Sequence, residues 1–147
     1  MVKLNPWYIV GFVEGEGCFA ITISKHKTKK LGLDARLVFE IELRGDDRPV
    51  LEKIKNYFGV GHIYNLNYKR YGWFPHAKYS VHSLEDLKKT IVPFFKKYRL
   101  KGKKAKDFQL FCQAIDVFTH KKHLTIDGLT KLKDLRKFMN KKRPFGQ

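Results

Sequence analysis

Two glutamates, Glu14 and Glu16, stand two positions apart in the string GFVEGEG and are the only acids among the first 33 residues. A basic chain that approaches phosphate has an electrostatic reason to exclude acids, so retained carboxylates require an explanation. Mg²⁺ is commonly bound by one or two carboxylates together with substrate phosphates. The pattern therefore raises a metal site for phosphodiester chemistry as one explanation, although these residues alone fit a helix end with two solvated glutamates at least as well.

Two glycines in the same string, Gly11 and Gly15, lie four positions apart and share one face of a predicted helix. Glycine inside a helix costs up to ~1 kcal/mol relative to alanine, which close approach of a partner helix would explain. Across a two-fold axis, two copies of this helix would bring their Glu16 carboxylates side by side. A symmetric pair of carboxylates facing a duplex is a geometry suited to a nuclease.

The composition indicates the class of partner. The chain has 147 residues, with 31 lysines and arginines against 14 aspartates and glutamates, a formal net charge of +17. This excess favours a polyanion, and nucleic acid is the obvious one. A hydrophobic content of 43% supports a core and argues against full disorder.

The same survey predicts where the protein resides. No apolar run approaches the roughly 20 residues that a membrane-spanning helix needs. The two cysteines, Cys18 and Cys112, cannot form a disulfide framework or a four-ligand zinc site. Because no signal peptide is recognisable, we expect an intracellular protein of the cytoplasm or nucleoid, or of an organelle if it is organelle-encoded.

Hydrophobic periodicity predicts the elements that position these residues. Asn5 and Ser83 are expected to cap helices, as is either Asp46 or Asp47. The predicted helices cover residues 6–14, 48–58, 84–97, 104–118 and 129–140, and the predicted strands cover 18–25, 35–43, 62–68 and 77–82. The order predicts a single α+β domain over residues 1–147, with helices on one face of an antiparallel sheet.

The other face of the predicted sheet is polar. Its members include Thr22, Ser24, Arg36, Glu40, Tyr64, Lys78 and Ser80. An ordinary solvated face and a β-ribbon surface laid in a DNA groove explain this pattern equally well.

Residues 9–17, IVGFVEGEG, resemble the nine-residue LAGLIDADG motif of homing endonucleases, with glutamate at both acidic positions. Segments 59–63, 98–112 and 124–143 resemble later parts of the family's intron-encoded branch. The resemblance implies an αββαββα fold with C-terminal helices and metal-dependent, staggered cleavage of long DNA sites. It also implies that motif helices meet at a two-fold interface, here formed by Ile9, Gly11, Phe12 and Gly15.

The resemblance extends to individual site residues. Glu16 takes the position of the metal-binding acid, and Gly15 takes the position whose backbone carbonyl can also contact metal. Glu14 matches an acid that supports the helix more than it catalyses. The implied cofactor is Mg²⁺, with two or three divalent ions per dimer, and Mn²⁺ or Ca²⁺ could substitute in binding.

A basic residue completes the implied active site. Lys104 matches the family's basic residue near the scissile phosphate, where it would stabilise charge or organise water. Lys101 and Lys103 are close enough in sequence that a small register slip would exchange them with Lys104.

DNA contacts would then come from the open sheet face and the loops beside it, with a merely solvated side chain as the alternative for each residue. Candidates for base contacts are Thr22, Ser24, His26, Arg36, Glu40, His62, Tyr64, Lys78 and Ser80. Candidates for phosphate contacts are Lys25, Lys27, Lys29, Lys30, Lys69, Arg70, Lys121 and Lys122. Trp73 and Phe74 could form a stacking tip or pack back on the sheet.

The leading hypothesis is a site-specific homing endonuclease that cleaves double-stranded DNA. One chain carries one motif and one metal-binding acid, so we expect a homodimer on a near-palindromic site, unless the chain is half of a larger protein. The alternative is a non-catalytic nucleic-acid-binding protein, either an intron RNA maturase or a LAGLIDADG-derived transcription regulator. A basic ribosomal protein is a third hypothesis.

Overall fold

A computed structural model of the chain describes residues 3–140. Its helices are α1 (Pro6–Glu16), α2 (Arg48–Phe58), α3 (Leu84–Asp86), α4 (Val92–Lys97), α5 (Lys104–Thr119) and α6 (Ile126–Lys137). Its strands are β1 (Gly17–Lys25), β2 (Leu33–Arg44), β3 (His62–Leu66) and β4 (His76–Val81). The predicted α+β class and αββαββα order with C-terminal helices are confirmed.

The four strands form one antiparallel sheet in the order β1-β2-β4-β3. The register places Cys18 opposite Glu40, Glu40 opposite Ser80, and Ser80 opposite His62, so one row of side chains crosses all four strands. Because side chains alternate between faces, this polar row lies on the face opposite the apolar residues of the same strands.

The apolar face of the sheet is covered by helices. Phe19 of β1 lies at the centre of an aromatic cluster, with ring centroids 5.1 Å from Phe39, 5.5 Å from Phe95 and 5.3 Å from Phe111. Pairs at such spacings contribute about 0.5–1.5 kcal/mol each beyond their buried area. The cluster fixes α4 and α5 against the first two strands, and this places the start of α5 beside the end of α1.

The joint between α1 and β1 depends on Gly17. A Cβ atom at this position would lie 2.7 Å from Val13 Cγ1 and 3.0 Å from the Val13 carbonyl oxygen. The Gly17 N–H instead donates to that carbonyl and closes the helix. The chain therefore passes from helix to strand without a loop. α1 runs through Gly15 to Glu16, two residues beyond its predicted end.

A second joint holds the C-terminal helix to the sheet. Asn140, in the left-handed region with φ 56°, donates its backbone N–H to Asp107 Oδ1 (3.0 Å) and its side-chain amide to the Phe19 carbonyl (2.9 Å). This turn ends α6 at Lys137, not at the predicted residue 140. Residues 141–143 of the segment that resembles the family lie outside the described residues.

Several predicted caps and boundaries differ from the structure. Asn5 and Ser83 cap α1 and α3 as predicted, with Asn5 Oδ1 2.8 Å from the Trp7 nitrogen. Asp47 occupies the N-cap position of α2, but its side chain makes no capping bond. The Asp46 carboxylate is bound by Arg44 instead, with Arg44 Nε 3.0 Å from Oδ1.

The helix predicted over residues 84–97 is interrupted. α3 and α4 are joined by a π-helical turn, Leu87–Ile91. Pro93 follows this turn and has no N–H to donate, so a regular α-helix could not continue through it with all bonds made. β3 ends at Leu66, two residues earlier than predicted, because Asn67 Oδ1 accepts the Lys69 N–H and starts a turn. Within residues 3–140, no helix is long and apolar enough to cross a bilayer.

Candidate active site and nucleic-acid interface

The acidic end of α1 carries two glutamates in different surroundings. Glu16 is exposed, and its side chain makes no hydrogen bond or ion pair with residues 3–140. Glu14 is partly buried, and its Oε2 accepts the Gly102 N–H at 2.9 Å across 88 positions of sequence. The two carboxylates therefore have separate tasks, one free for a ligand and one holding a distant segment.

That distant segment is the turn that starts α5. Lys103 and Lys104 begin the helix, where N–H groups and the positive end of the helix dipole favour an anion. The backbone is closed by bonds from the Ala105 N–H to the Gly102 carbonyl (3.0 Å) and from the Lys106 N–H to the Lys103 carbonyl (3.2 Å). Glu14 thus links the acidic C-terminal end of α1 to the basic N-terminal end of α5.

The three candidate lysines of this turn have different neighbours. The Lys101 ammonium lies 5.5 Å from the centre of the Trp7 ring, toward the start of α1. Lys103 is exposed. Lys104 is half-buried, and its charge acts on the Cys18 thiol, the second residue of β1. Of the three, Lys104 is the one that the fold directs toward the Gly17 joint.

Cys18 marks where this site meets the sheet. Burial raises the pKa of the Cys18 thiol, the Glu40 charge raises it further, and Lys104 partly opposes both. A thiol held in its neutral form fits the packing role expected for this cysteine, and it is a poor nucleophile. The polar row Cys18–Glu40–Ser80–His62 therefore starts directly beside the two helix ends.

The centre of the open sheet face is balanced in charge. Lys78 Nζ lies 3.5 Å from Glu40 Oε2, and His76 Nδ1 lies 2.9 Å from Glu42 Oε2. The Tyr68 hydroxyl donates to Glu42 at 3.2 Å. Glu42, His76 and Tyr68 were not among the predicted contacts. Strand alternation alone could have found the first two, since Glu42 and His76 are each two positions from a predicted contact.

The structure corrects the prediction that Ser80 contacts bases. It lies on the predicted face, but only 7% of its surface is exposed. Its strand is flanked on both sides, and the longer Glu40 and His62 side chains stand opposite it in the register. The short serine hydroxyl is therefore enclosed, and we remove it from the contact residues.

The remaining base-contact candidates keep accessible side chains. Exposed members are Thr22, Ser24, His26, Arg36, His62 and Tyr64, and half-buried members are Glu40 and Lys78. Arg36 is held at 2.8 Å by Asp34, and this hydrogen bond holds the pKa of the Asp34 carboxyl below its usual range.

The phosphate-contact candidates are all exposed and lie in loops or at strand ends. They are Lys25, Lys27, Lys29, Lys30, Lys69, Arg70, Lys121 and Lys122. His123, which follows Lys122, stacks its ring on Phe118 of α5 with ring centroids 4.2 Å apart, and burial lowers the pKa of its imidazole. The face therefore has a balanced centre and a basic margin. This arrangement suits base readout flanked by phosphate contacts.

The predicted two-fold interface needs one correction. Ile9 has no exposed surface and belongs to the core of its own chain. A Cβ atom on Gly11 or Gly15 would meet nothing within 4 Å, so both face outward. Tyr8, not predicted, is 48% exposed and lies against Phe12 with ring centroids 5.9 Å apart. The outward stripe of α1 is Tyr8, Gly11, Phe12 and Gly15.

One chain alone offers a partial ligand set for a metal. Within residues 3–140, no three His, Cys, Asp or Glu side chains come together as a metal site. The free Glu16 carboxylate and the last backbone carbonyls of α1, which lie at the negative end of the helix dipole, fit a hard cation. They supply one part of an oxygen shell, and other molecules or chains must supply the rest.

Comparisons with known proteins identify the fold. A family model described as LAGLIDADG endonuclease matches residues 9–115. A "Probable intron-encoded endonuclease 3" from Neurospora crassa is 35% identical over 140 residues, which cover 95% of this chain and 25% of that protein. The chain thus spans about a quarter of the length of this curated relative.

Comparison with solved structures leads to the same family. The I-LtrWI LAGLIDADG homing endonuclease bound to target DNA superposes with a TM-score of 0.87 at 30% identity, covering 98% of this chain and 47% of that one. The homing endonuclease I-TnaI superposes with a TM-score of 0.84 at 32% identity, covering 97% and 92%. One of these neighbours is therefore about twice as long as this chain, and the other has a similar length.

Proposed function

Because the chain belongs to the LAGLIDADG endonuclease family, we propose that it is one unit of a site-specific homing endonuclease that cleaves double-stranded DNA. The observation that carries the proposal is the Glu14–Gly102 bond. It ties the end of α1, which carries the free Glu16 carboxylate, to the basic turn that starts α5.

Each residue has a proposed task. Glu16 and the Gly15 carbonyl would hold a divalent cation, which when bound neutralises phosphate charge and acidifies a coordinated water. Lys104 and the N–H groups at the start of α5 would orient the scissile phosphate and stabilise the charge that develops on it. The sheet residues would hold the duplex in register, with Mg²⁺ as the working ion.

The active unit is proposed to be a pair. One chain presents one free motif acid, and two strands must be cut. Two α1 helices packed through Tyr8, Gly11, Phe12 and Gly15 would bring two Glu16 carboxylates to one site. A homodimer predicts a near-palindromic target, whereas a second unit in a longer chain would not. The similar length of I-TnaI and the double length of I-LtrWI are compatible with either arrangement.

The test is selection of cleaved sites from a random duplex library in Mg²⁺. We expect wild-type protein to yield one long cleaved site, whose symmetry reports the pairing. Glu16→Gln should abolish cleavage and retain binding. Glu85→Gln is the matched control, since it removes an exposed carboxylate whose ion-pair partner among the described residues is Lys89. Tight binding by wild type without any cleavage would refute the nuclease proposal and favour the binding-protein hypothesis.

A further inference from the structure

The turn between β3 and β4 exposes three aromatic rings together. Tyr71, Trp73 and Phe74 are 52%, 60% and 65% exposed. Single exposed apolar residues are common, but a contiguous exposed group marks an interaction surface. Trp73 touches Tyr68, with ring centroids 5.6 Å apart, and Phe74 touches Arg44 at the end of β2, but both rings keep most of their surface exposed.

The turn is built to hold its rings outward. Gly72, with φ 69°, donates to the Lys69 carbonyl at 2.9 Å, and the Trp73 N–H donates to the Tyr68 carbonyl at 3.3 Å. The Tyr71 and Trp73 rings lie 5.2 Å apart and brace each other. Since the rings are fixed before any ligand arrives, little side-chain freedom is lost on binding.

Cations surround the rings. The Arg44 guanidinium lies 4.3 Å from the centre of the Phe74 ring, and that of Arg70 lies 4.7 Å from the Tyr71 ring. A hollow of about 280 Å³ is lined by Lys69, Gly72, Trp73, Phe74 and Pro75. The hollow lies beside the Trp73 and Phe74 rings, so a planar ring that enters it can stack on an aromatic face.

We propose that Trp73 and Phe74, with Lys69, form a site for an unpaired nucleobase of single-stranded nucleic acid. Aromatic faces beside cations bind bases of any sequence by stacking, while the cation binds the backbone. In a duplex, base faces are covered by their neighbours, so exposed rings fit an unpaired base better. Tyr68 ties the turn to the open sheet face, because its hydroxyl donates to Glu42 and its ring lies 4.9 Å from His76.

The experiment uses the two tryptophans. In a Trp7→Phe chain, Trp73 is the single tryptophan, and its fluorescence is titrated with an oligothymidylate, an oligouridylate of equal length and a blunt duplex of that length. We expect quenching by both single strands and little by the duplex. A preference between thymidylate and uridylate identifies DNA or RNA as the natural source. No metal is present and no cleavage is measured, so the result is independent of the proposed nuclease function.

Affinities of variants sharpen the test, and they are measured by the anisotropy of a dye-labelled oligothymidylate because Trp73 variants lack the fluorescent ring. Trp73→Ala should weaken single-strand binding by about 5- to 150-fold, and Trp73→Phe should restore most of it. Lys69→Met should reduce the salt slope by about 0.7. Trp7→Ala is the matched control, since Trp7 is 51% exposed and also lies near a lysine. The proposal is overturned if neither single strand quenches Trp73, if the duplex quenches equally, or if both alanine variants weaken binding equally.

Discussion

Removal of the Glu14 carboxylate should impair cleavage while leaving the fold almost as stable as before. Glu14 Oε2 accepts the Gly102 N–H at 2.9 Å, and Oε1 is buried without a partner among the described residues. A hydrogen bond to a charged group contributes about 1.5–3 kcal/mol. A buried polar atom without a partner costs about 1–3 kcal/mol.

These two contributions oppose each other in Glu14→Ala. Gly102 is exposed, so water can replace the lost acceptor, and this puts the loss at the low end of its range. Removal of the unpartnered Oε1 also removes the cost of burying it, and this gain offsets the loss of the hydrogen bond. We expect a net change in unfolding free energy within about 1 kcal/mol, which shifts the midpoint of thermal unfolding by about 2–4 °C for a domain of this size.

Catalysis should respond much more. Without the bond, α5 remains packed on the sheet, but the turn carrying Lys103 and Lys104 loses its direct hydrogen bond to the end of α1 that carries Glu16. A displacement of about 1 Å at a reacting centre can cost on the order of 100-fold in rate. We expect single-turnover cleavage of the selected duplex to fall by about 10- to 100-fold in Mg²⁺, with little change in binding.

Gly102→Ala provides the matched perturbation. A Cβ at Gly102 would meet Glu14 Oε2 at 3.0 Å, and its three nearest neighbours all belong to Glu14. The single variant should slow cleavage because it presses on that carboxylate. In a Glu14→Ala background, the same change should have no further effect. Additive losses in this double-mutant cycle, or full activity of Glu14→Ala, would refute the positioning role.

Three further predictions concern the lysine turn, the α1–β1 joint and the outward stripe of α1. Lys104→Met should slow cleavage with little loss of DNA affinity in single-turnover assays, and a larger effect of Lys103→Met would reassign the role. Gly17→Ala should lower the free energy of unfolding by about 1–3 kcal/mol, as measured by thermal unfolding, because its Cβ meets Val13; an unchanged midpoint would contradict the tight α1–β1 joint. Gly11→Leu should leave the fold intact but prevent pairing, and a dimer unchanged in sedimentation would place the interface elsewhere.

Local sequence signals were sufficient to predict an element where its capping and turn residues and its hydrophobic periodicity indicate the same bounds. α2 spans the predicted residues 48–58 because Pro49 fits its first turn and Gly59, with φ 73°, ends it. The polar face of the sheet follows from simple alternation of side chains. In these segments the information lies within a few residues, so a single sequence contains it.

The burial of individual side chains, and contacts between residues far apart in sequence, could not be predicted in this way. Periodicity assigns Ile9 and Ser80 to a face, but burial depends on which neighbours cover that face. The Glu14–Gly102 and Asn140–Phe19 bonds join residues that are 88 and 121 positions apart, and no local pattern reports them. The proposed active site depends on the first of these bonds. Glu16, the proposed metal-binding acid, could therefore be predicted from its motif, while the bond that ties Glu14 to the lysine turn could not.

The charges at the two joined helix ends are opposite in sign to those that the helix dipoles favour. Glutamates at the C-terminal end of α1 and lysines at the N-terminal end of α5 each oppose the local helix dipole, at a cost of about 0.3–1 kcal/mol per charge. Exchanging the two charge types would favour both helices, yet Glu14 and Glu16 stand at one end and Lys103 and Lys104 at the other. A cation at the first end and a phosphate at the second would reverse both penalties at once. The charge placement that costs each helix free energy in the free protein would then favour a metal-bound phosphodiester.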